Sequence, residues 1–176
     1  EGVESSTAGF CDLWVKDGYN GTMGYLGRNC DKRYDPTLLV EGCRSIIVVA
    51  LNYAPSKAIE GISHYAQGKD YHKAVKERLF LLLKSINGKA PCNGRPFCDS
   101  APILERYWAV QAGLGWIGRN HQLIIPQKGS YFFLGELLID AELDYDKPFE
   151  QNHCGECRRC IDNCPTGALD EHCFDA

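Results

Sequence analysis

Four cysteines near the end of the chain, in "CGECRRCIDNCPTG" (154–167), follow the spacing C-x2-C-x2-C-x3-C-P. That is the bacterial ferredoxin arrangement for a four-iron, four-sulfur cluster. Two-residue gaps let the thiolates of Cys154, Cys157 and Cys160 converge on three corners of one 4Fe-4S cube while intervening backbone N–H groups face its sulfides. Gly155 and Gly167 ease such tight turning, and Pro165 ends the loop after Cys164, whose thiolate is expected to point away from the other three. Zinc is the competing metal, but zinc sites favour two separated C-x2-C pairs over three consecutive knuckles and a Cys-Pro. In two-cluster proteins the fourth cysteine of this motif serves the other cluster. Cys164 is therefore expected to ligate a second cluster, with Cys173 as a further ligand and the remaining cysteines beyond Ala176.

A second candidate is Asp99 in "FCDSAPILER", a carboxylate at an expected helix start with Arg106 two turns along. An ordinary N-cap explains such an Asp; so does a proton donor whose pKa is raised by burial, and spacing alone leaves both open. A third stretch, "GLGWIG" (113–118), matches G-x-G-x-x-G but follows a helical pattern and precedes a strand pattern. A dinucleotide fingerprint needs the reverse order, so these glycines are expected to form a turn or admit close backbone approach to a flat ligand. The histidines, His64, His72, His121, His153 and His172, show no ligand spacing, and neither do Cys11, Cys30, Cys43, Cys92 and Cys98. Arg158 and Arg159, set between cluster cysteines, can balance an anionic cluster or meet a partner's phosphate.

The elements that must position these residues are legible in part. The first 41 residues are rich in Gly, Asn and Asp, so turns are expected after a short helix around Trp14. "SIIVVALN" (45–52) is a β-branched apolar run expected to be a strand buried on both faces. Val75, Leu79, Leu82, Leu83 and Ile86 recur at helical spacing up to Gly88, a C′ candidate. A second helix is expected from Asp99 or Ser100, with Pro102 in its first turn and Gly113 at its end. Short strands are expected near "HQLIIP" and "GSYFFLGELLI", and a boundary after Asp140, where the chain turns polar.

Length and composition bound the rest. A chain of 176 residues, 44% hydrophobic and 24% charged, has globular proportions. Its net charge of -4 argues against a chain-wide nucleic-acid footprint, leaving only a local basic face. No apolar run approaches the roughly 18 residues of a membrane helix, and the start lacks a secretory pattern. Five of the ten cysteines lie in the last 23 residues, unlike a disulfide scaffold. A cytoplasmic location is expected.

Together the motifs resemble the epoxyqueuosine reductases, through "DGYNGTMGYLGR", "RYDPTLLVEGCRSIIVVALNY", "ISHYAQGKDYH", "DSAPILERYWAVQAGLGWIGRN", "GSYFFLGELL" and "CGECRRCIDNCPTGAL". The resemblance implies an α/β (α+β) fold: a nitroreductase-like cobalamin-binding domain over residues 1–149, then half of a ferredoxin-like 4Fe-4S module over 150–176. It implies two 4Fe-4S clusters and cobalamin as cofactors, an external electron donor, and a transfer RNA bearing epoxyqueuosine at the wobble position as partner. It implies reductive removal of the epoxide oxygen, with Asp99 falling on the family's proton donor. Arg106, Asn120, Gly129, Ser130, Tyr71 and His72 become candidates for cofactor or substrate contacts. A monomer is expected, and so is truncation at both ends, because a first strand and helix, a second cysteine motif and a helical-repeat tail of the family pattern are missing. The family often has Lys where Arg119 stands, which keeps the charge and changes its geometry. Two other readings make different predictions: an iron-sulfur electron carrier takes up no corrinoid, and a reductive dehalogenase commonly carries an export signal.

Overall fold

The structure is a computed structural model that describes residues 3–171 and 173–176 of the chain. His172 lies outside the described residues. The centre is a three-stranded sheet in the order β1-β5-β2, with β1 at Ser45–Asn52, β2 at Gly94–Phe97 and β5 at Phe132–Ile139, both pairings antiparallel. A two-stranded hairpin joins β3, Trp116–Ile117, to β4, Leu123–Ile124.

The strand "SIIVVALN" forms where expected but not as the doubly buried one. Among the described residues it pairs only with β5, and it is half-buried along most of its length. The central strand is β5, whose last five residues are buried, and at eight residues it is not short. Its alternation sorts two cores. Leu137 and Ile139 face one side with Val75, Leu79 and Cys98; Leu138 faces the other with Phe97 and Ile103. β2 contains Pro96, which cannot donate to a ladder; an edge strand tolerates it.

Helix α3, Tyr71–Asn87, covers the first face. Asp70 caps it by accepting the His72 N–H at 3.0 Å. Burying Leu79 completely contributes about 1.5–3 kcal/mol. Gly88 follows the helix at φ −69, so its left-handed freedom is not used. The helix rests on Gly135, where an added Cβ would lie 2.4 Å from Val75 Cγ1. Gly135→Ala is therefore expected to destabilise the fold by about 1–3 kcal/mol through overpacking, read as a lowered midpoint of denaturant unfolding.

Helix α4 begins at Glu105 and runs to Gln111, six residues later than Asp99. Pro102 sits inside the second of two tight turns, Ser100 N–H to Cys98 C=O at 2.6 Å and Ile103 N–H to Ala101 C=O at 2.8 Å, so 98–104 is a loop. Gly113 does leave the helix at φ +72. In "GLGWIG" the glycines serve the hairpin: a Cβ on Gly115 would lie 2.1 Å from the Ile124 carbonyl oxygen. The close approach is to the chain's own strand β4.

The first 41 residues hold more helix than expected. Helix α1 spans Ser5–Lys16 and α2 spans Cys30–Tyr34. No helix among the described residues is long and apolar enough to cross a membrane.

Candidate functional site

Asp99 is not an N-cap. It sits in the left-handed region at φ +56, a conformation that Asp tolerates better than most residues. Its N–H donates to Glu105 Oε1 at 2.5 Å, so the first residue of α4 holds the loop from behind. Its Oδ2 accepts a hydrogen bond from the Tyr71 hydroxyl and lies 3.3 Å from His72 Nε2. Oδ1 takes part in neither contact.

Tyr71 and His72 are the first two residues of α3, so the capped N-terminus of that helix presents both to Asp99. Tyr71 is fixed by stacking on Phe133 of β5, with centroids 4.1 Å apart and planes 3° apart, and on His72 at 4.0 Å. Burial, then the bond to Asp99, pushes the Tyr71 phenol far above its usual range, so it keeps its proton. The second imidazole nitrogen of His72 lies 3.1 Å from Asp70 Oδ1, and this contact holds Asp70 below the usual carboxylate range.

Behind Asp99 lies Glu136 of β5, fully buried on the same face as Leu138. Among the described residues neither of its carboxyl oxygens meets an N–H or hydroxyl donor. Glu105 is the carboxyl that bears on it most, and two carboxyl groups can hydrogen-bond to each other only when one holds a proton. Burial first, then the charge of Glu105, raises Glu136 well above its ordinary value, and burial raises Glu105 too.

The 99–107 segment lines a cavity of about 840 Å³, closed on the far side by Phe10 and Cys11 of α1 and by Tyr25, Leu26 and Arg33. A second cavity of about 570 Å³ shares Arg106 and His121 with it and adds Asn120, Trp14 and Phe174, so the two form one trough. Arg106 donates from Nη1 to the His121 carbonyl, fixing α4 to the hairpin turn. Asn120 Oδ1 accepts the Gln122 N–H at 3.1 Å within that turn. Gly129 and Ser130 line neither cavity; they lead into β5 beside Phe133, the ring under Tyr71. Cys92 and Cys98 are core residues, whereas Cys11 and Cys30 reach the trough wall.

The cysteine segment folds back across this trough. The Trp14 indole N–H donates to the Phe174 carbonyl at 2.6 Å, and the Ala176 N–H to Tyr19 C=O at 2.9 Å. Arg119 donates from Nη1 to the Cys157 carbonyl at 3.4 Å. Cys154 and Cys157 share a turn, Cys160 lies on the short helix α5, Arg159–Asp162, and Cys164 follows it. All five cysteines are free thiols with at least partial exposure. Among the described residues no three Cys, His, Asp or Glu side chains form a ready-made metal cage, so the fit to a cluster rests on the donor set and its loop. Cys164 suits a thiolate ligand: the Leu169 N–H, then Thr166, lower it to about 7. Desolvation and the Asp170 carboxylate push Cys173 up instead.

Comparison with known proteins decides the family. The model described as "Epoxyqueuosine reductase QueG, DUF1730" matches residues 33–100. Over 163 residues the chain is 44% identical to the epoxyqueuosine reductase of Cyclobacterium marinum, an alignment covering 89% of this chain and 53% of that protein. The chain belongs to the epoxyqueuosine reductase family. Its mixed α/β fold superimposes on a crystal structure of epoxyqueuosine reductase with a tRNA-Tyr epoxyqueuosine-modified stem loop, with a TM-score of 0.87 and 29% identity over 98% of this chain and 48% of that one. A Bacillus subtilis epoxyqueuosine reductase, TM-score 0.85 and 28% identity over 98% of this chain and 48% of that one, was solved with an aspartate catalytic loop swung out of the active site. The chain spans about half the length of the epoxyqueuosine reductases it matches.

Proposed function

We propose that this chain carries the reaction centre of an enzyme that reductively removes the epoxide oxygen of epoxyqueuosine in tRNA, giving queuosine. The observation that carries the reading is the placement of Asp99, backed by Tyr71 and His72, on the wall of the trough. The relative bound to a modified tRNA stem loop supports tRNA as the substrate.

The balance is simple: the epoxide takes two electrons and two protons, both carbon–oxygen bonds break, an alkene forms and water leaves. No side chain is a low-potential two-electron donor, so a cofactor must be. We assign the trough to cobalamin, with Arg106 and Asn120 at its wall, Tyr71 and His72 behind Asp99, and Gly129 and Ser130 on the loop into β5. Bound there, cobalamin would supply the low-potential electrons. Residues 1–149 then form the nitroreductase-like cobalamin-binding domain, and 150–176 begin a ferredoxin-like module fed by an external donor. Cys154, Cys157 and Cys160 would hold one 4Fe-4S cluster; Cys164 and Cys173 would serve a second.

Within this site Asp99 delivers a proton to the departing oxygen. Tyr71, which holds its own proton tightly, orients the carboxyl through Oδ2. His72 lies beside the same oxygen, placed to pass on a replacement proton.

Anaerobic purification of the full-length protein with cobalt and iron analysis, followed by conversion of epoxyqueuosine-containing tRNA, tests this. Cobalt with iron, and queuosine formed, is the expected result. Iron without cobalt uptake after corrinoid is supplied would leave an electron carrier and sink the enzyme reading.

A further inference from the structure

We propose that Glu136 and Glu105 share one proton and together latch the Asp99 loop to the central strand, so that deprotonating the pair releases the loop. The inference takes Asp99 as the presented residue from the reading above, but the latch itself is a property of the loop.

Glu136 is an ionisable side chain with no exposed surface, aimed at α4 from the middle strand. A buried carboxylate without donors costs too much to persist, so it keeps its proton or finds a cation. The groups around it offer little cation. On α4 it faces Glu105, with Arg106 acting on Glu105 from the far side; on the loop after β2 it meets the charge of Asp99 and stands near Cys98. Its strand partners are Val48 and Phe97, which carry no charge. From α3, Lys76 approaches Cys98, but its ammonium bonds Ser100 Oγ at 3.0 Å. The proton therefore stays, on Glu136, which donates to Glu105.

Glu105 is then the middle of a chain. As a carboxylate it accepts from the Glu136 hydroxyl on one side and from the Asp99 N–H at 2.5 Å on the other. That second bond holds Asp99 in its left-handed conformation. Removing the proton sets two carboxylates face to face in a dry site, and the arrangement relaxes by moving the mobile partner, α4's first turn with its loop. Glu105 lines the cavity while Glu136 does not, so Glu105 is the one with room to move. Both are positioning residues.

The sign follows from linkage. Glu136 holds its proton more tightly folded than unfolded, where its ordinary value is 4.5. Its contribution to the docked state is complete below that value and is lost as pH rises through the raised one.

The test uses full-length protein and the variants Glu136→Gln and Glu105→Gln. Infrared spectra at neutral pH, recorded in the Asp99→Asn background so that the proposed proton donor adds no band, should show a protonated-carboxyl stretch that disappears on adding Glu136→Gln. Hydrogen exchange of the 97–105 segment, corrected for intrinsic rates, should rise at least several-fold between neutral and alkaline pH in the wild type. Glu136→Gln, whose amide still donates to Glu105, should keep the loop protected and flatten that dependence. A stretch that survives Glu136→Gln, or an unchanged pH dependence in that variant, would overturn the latch. Should Glu136→Gln fail to fold, Glu105→Gln must show a flattened dependence, and a wild-type dependence there overturns the latch equally. None of these readouts requires epoxide turnover, so the latch and the proposed reaction can fail separately.

Discussion

Asp99→Asn is expected to slow epoxide turnover by about 10²–10⁴-fold, the usual contribution of a positioned general acid, while leaving cofactor uptake and fold unchanged. The substitution isolates the proton because so much else survives it. Asn shares the tolerance of Asp for the left-handed region, so φ +56 is kept. The backbone N–H still reaches Glu105, and the amide oxygen still accepts from Tyr71. Only the transferable proton is lost. Single-turnover conversion of epoxyqueuosine-containing tRNA under anaerobic conditions, with absorption spectra recorded on the same sample, separates the two effects. Unchanged turnover would remove Asp99 from the reaction. Asp99→Ala makes the useful contrast, because it also loses the Tyr71 bond and the backbone tolerance and should loosen the loop as well.

Why Asp99 looked like a helix cap, and is not one, shows where sequence stops. Local rules see an Asp, a Ser and a Pro before an amphipathic stretch, and these do favour a first turn. They do not see Glu105, whose carboxylate reaches back to the Asp99 N–H and makes a loop of the residues between. The same limit hid the sheet order. "SIIVVALN" and "FFLGELLI" are both apolar runs, and nothing local says which lies between two neighbours. The one visible clue was Glu136, a charge inside an otherwise apolar strand. It marks both the central strand and the acidic pair, and it escapes a motif search because its partner lies 31 residues earlier, at position 105. Helix α3 was legible because its apolar stripe, from Val75 to Ile86, keeps helical spacing along its length. The cysteine run stood out as a candidate because the spacing along the chain is what sets its ligand chemistry.

In full-length protein, Cys157→Ala and Cys164→Ala are each expected to abolish one cluster, and not the same one. Both variants should lose turnover, since either loss breaks the electron path, so the discriminating quantity is iron per chain. Each single variant should retain about half of the wild-type iron if each cluster binds independently, and the double variant should retain almost none. The structure favours this partition through the different settings of the two thiols. Cys157 is in a turn with Cys154, held by the 2.9 Å bond between them and tied to the trough by Arg119. Cys164 stands beyond α5, where N–H groups of its own loop, Leu169 first, favour the thiolate. If Cys164 were instead the fourth ligand of the Cys154, Cys157 and Cys160 cluster, the double variant would lose no more iron than either single one. That result would make the motif a self-contained site and return Cys173 to a structural role beside Asp170. Reduced-state electron paramagnetic resonance on the same samples gives an independent check, because removing either cluster should eliminate the signature of two interacting centres.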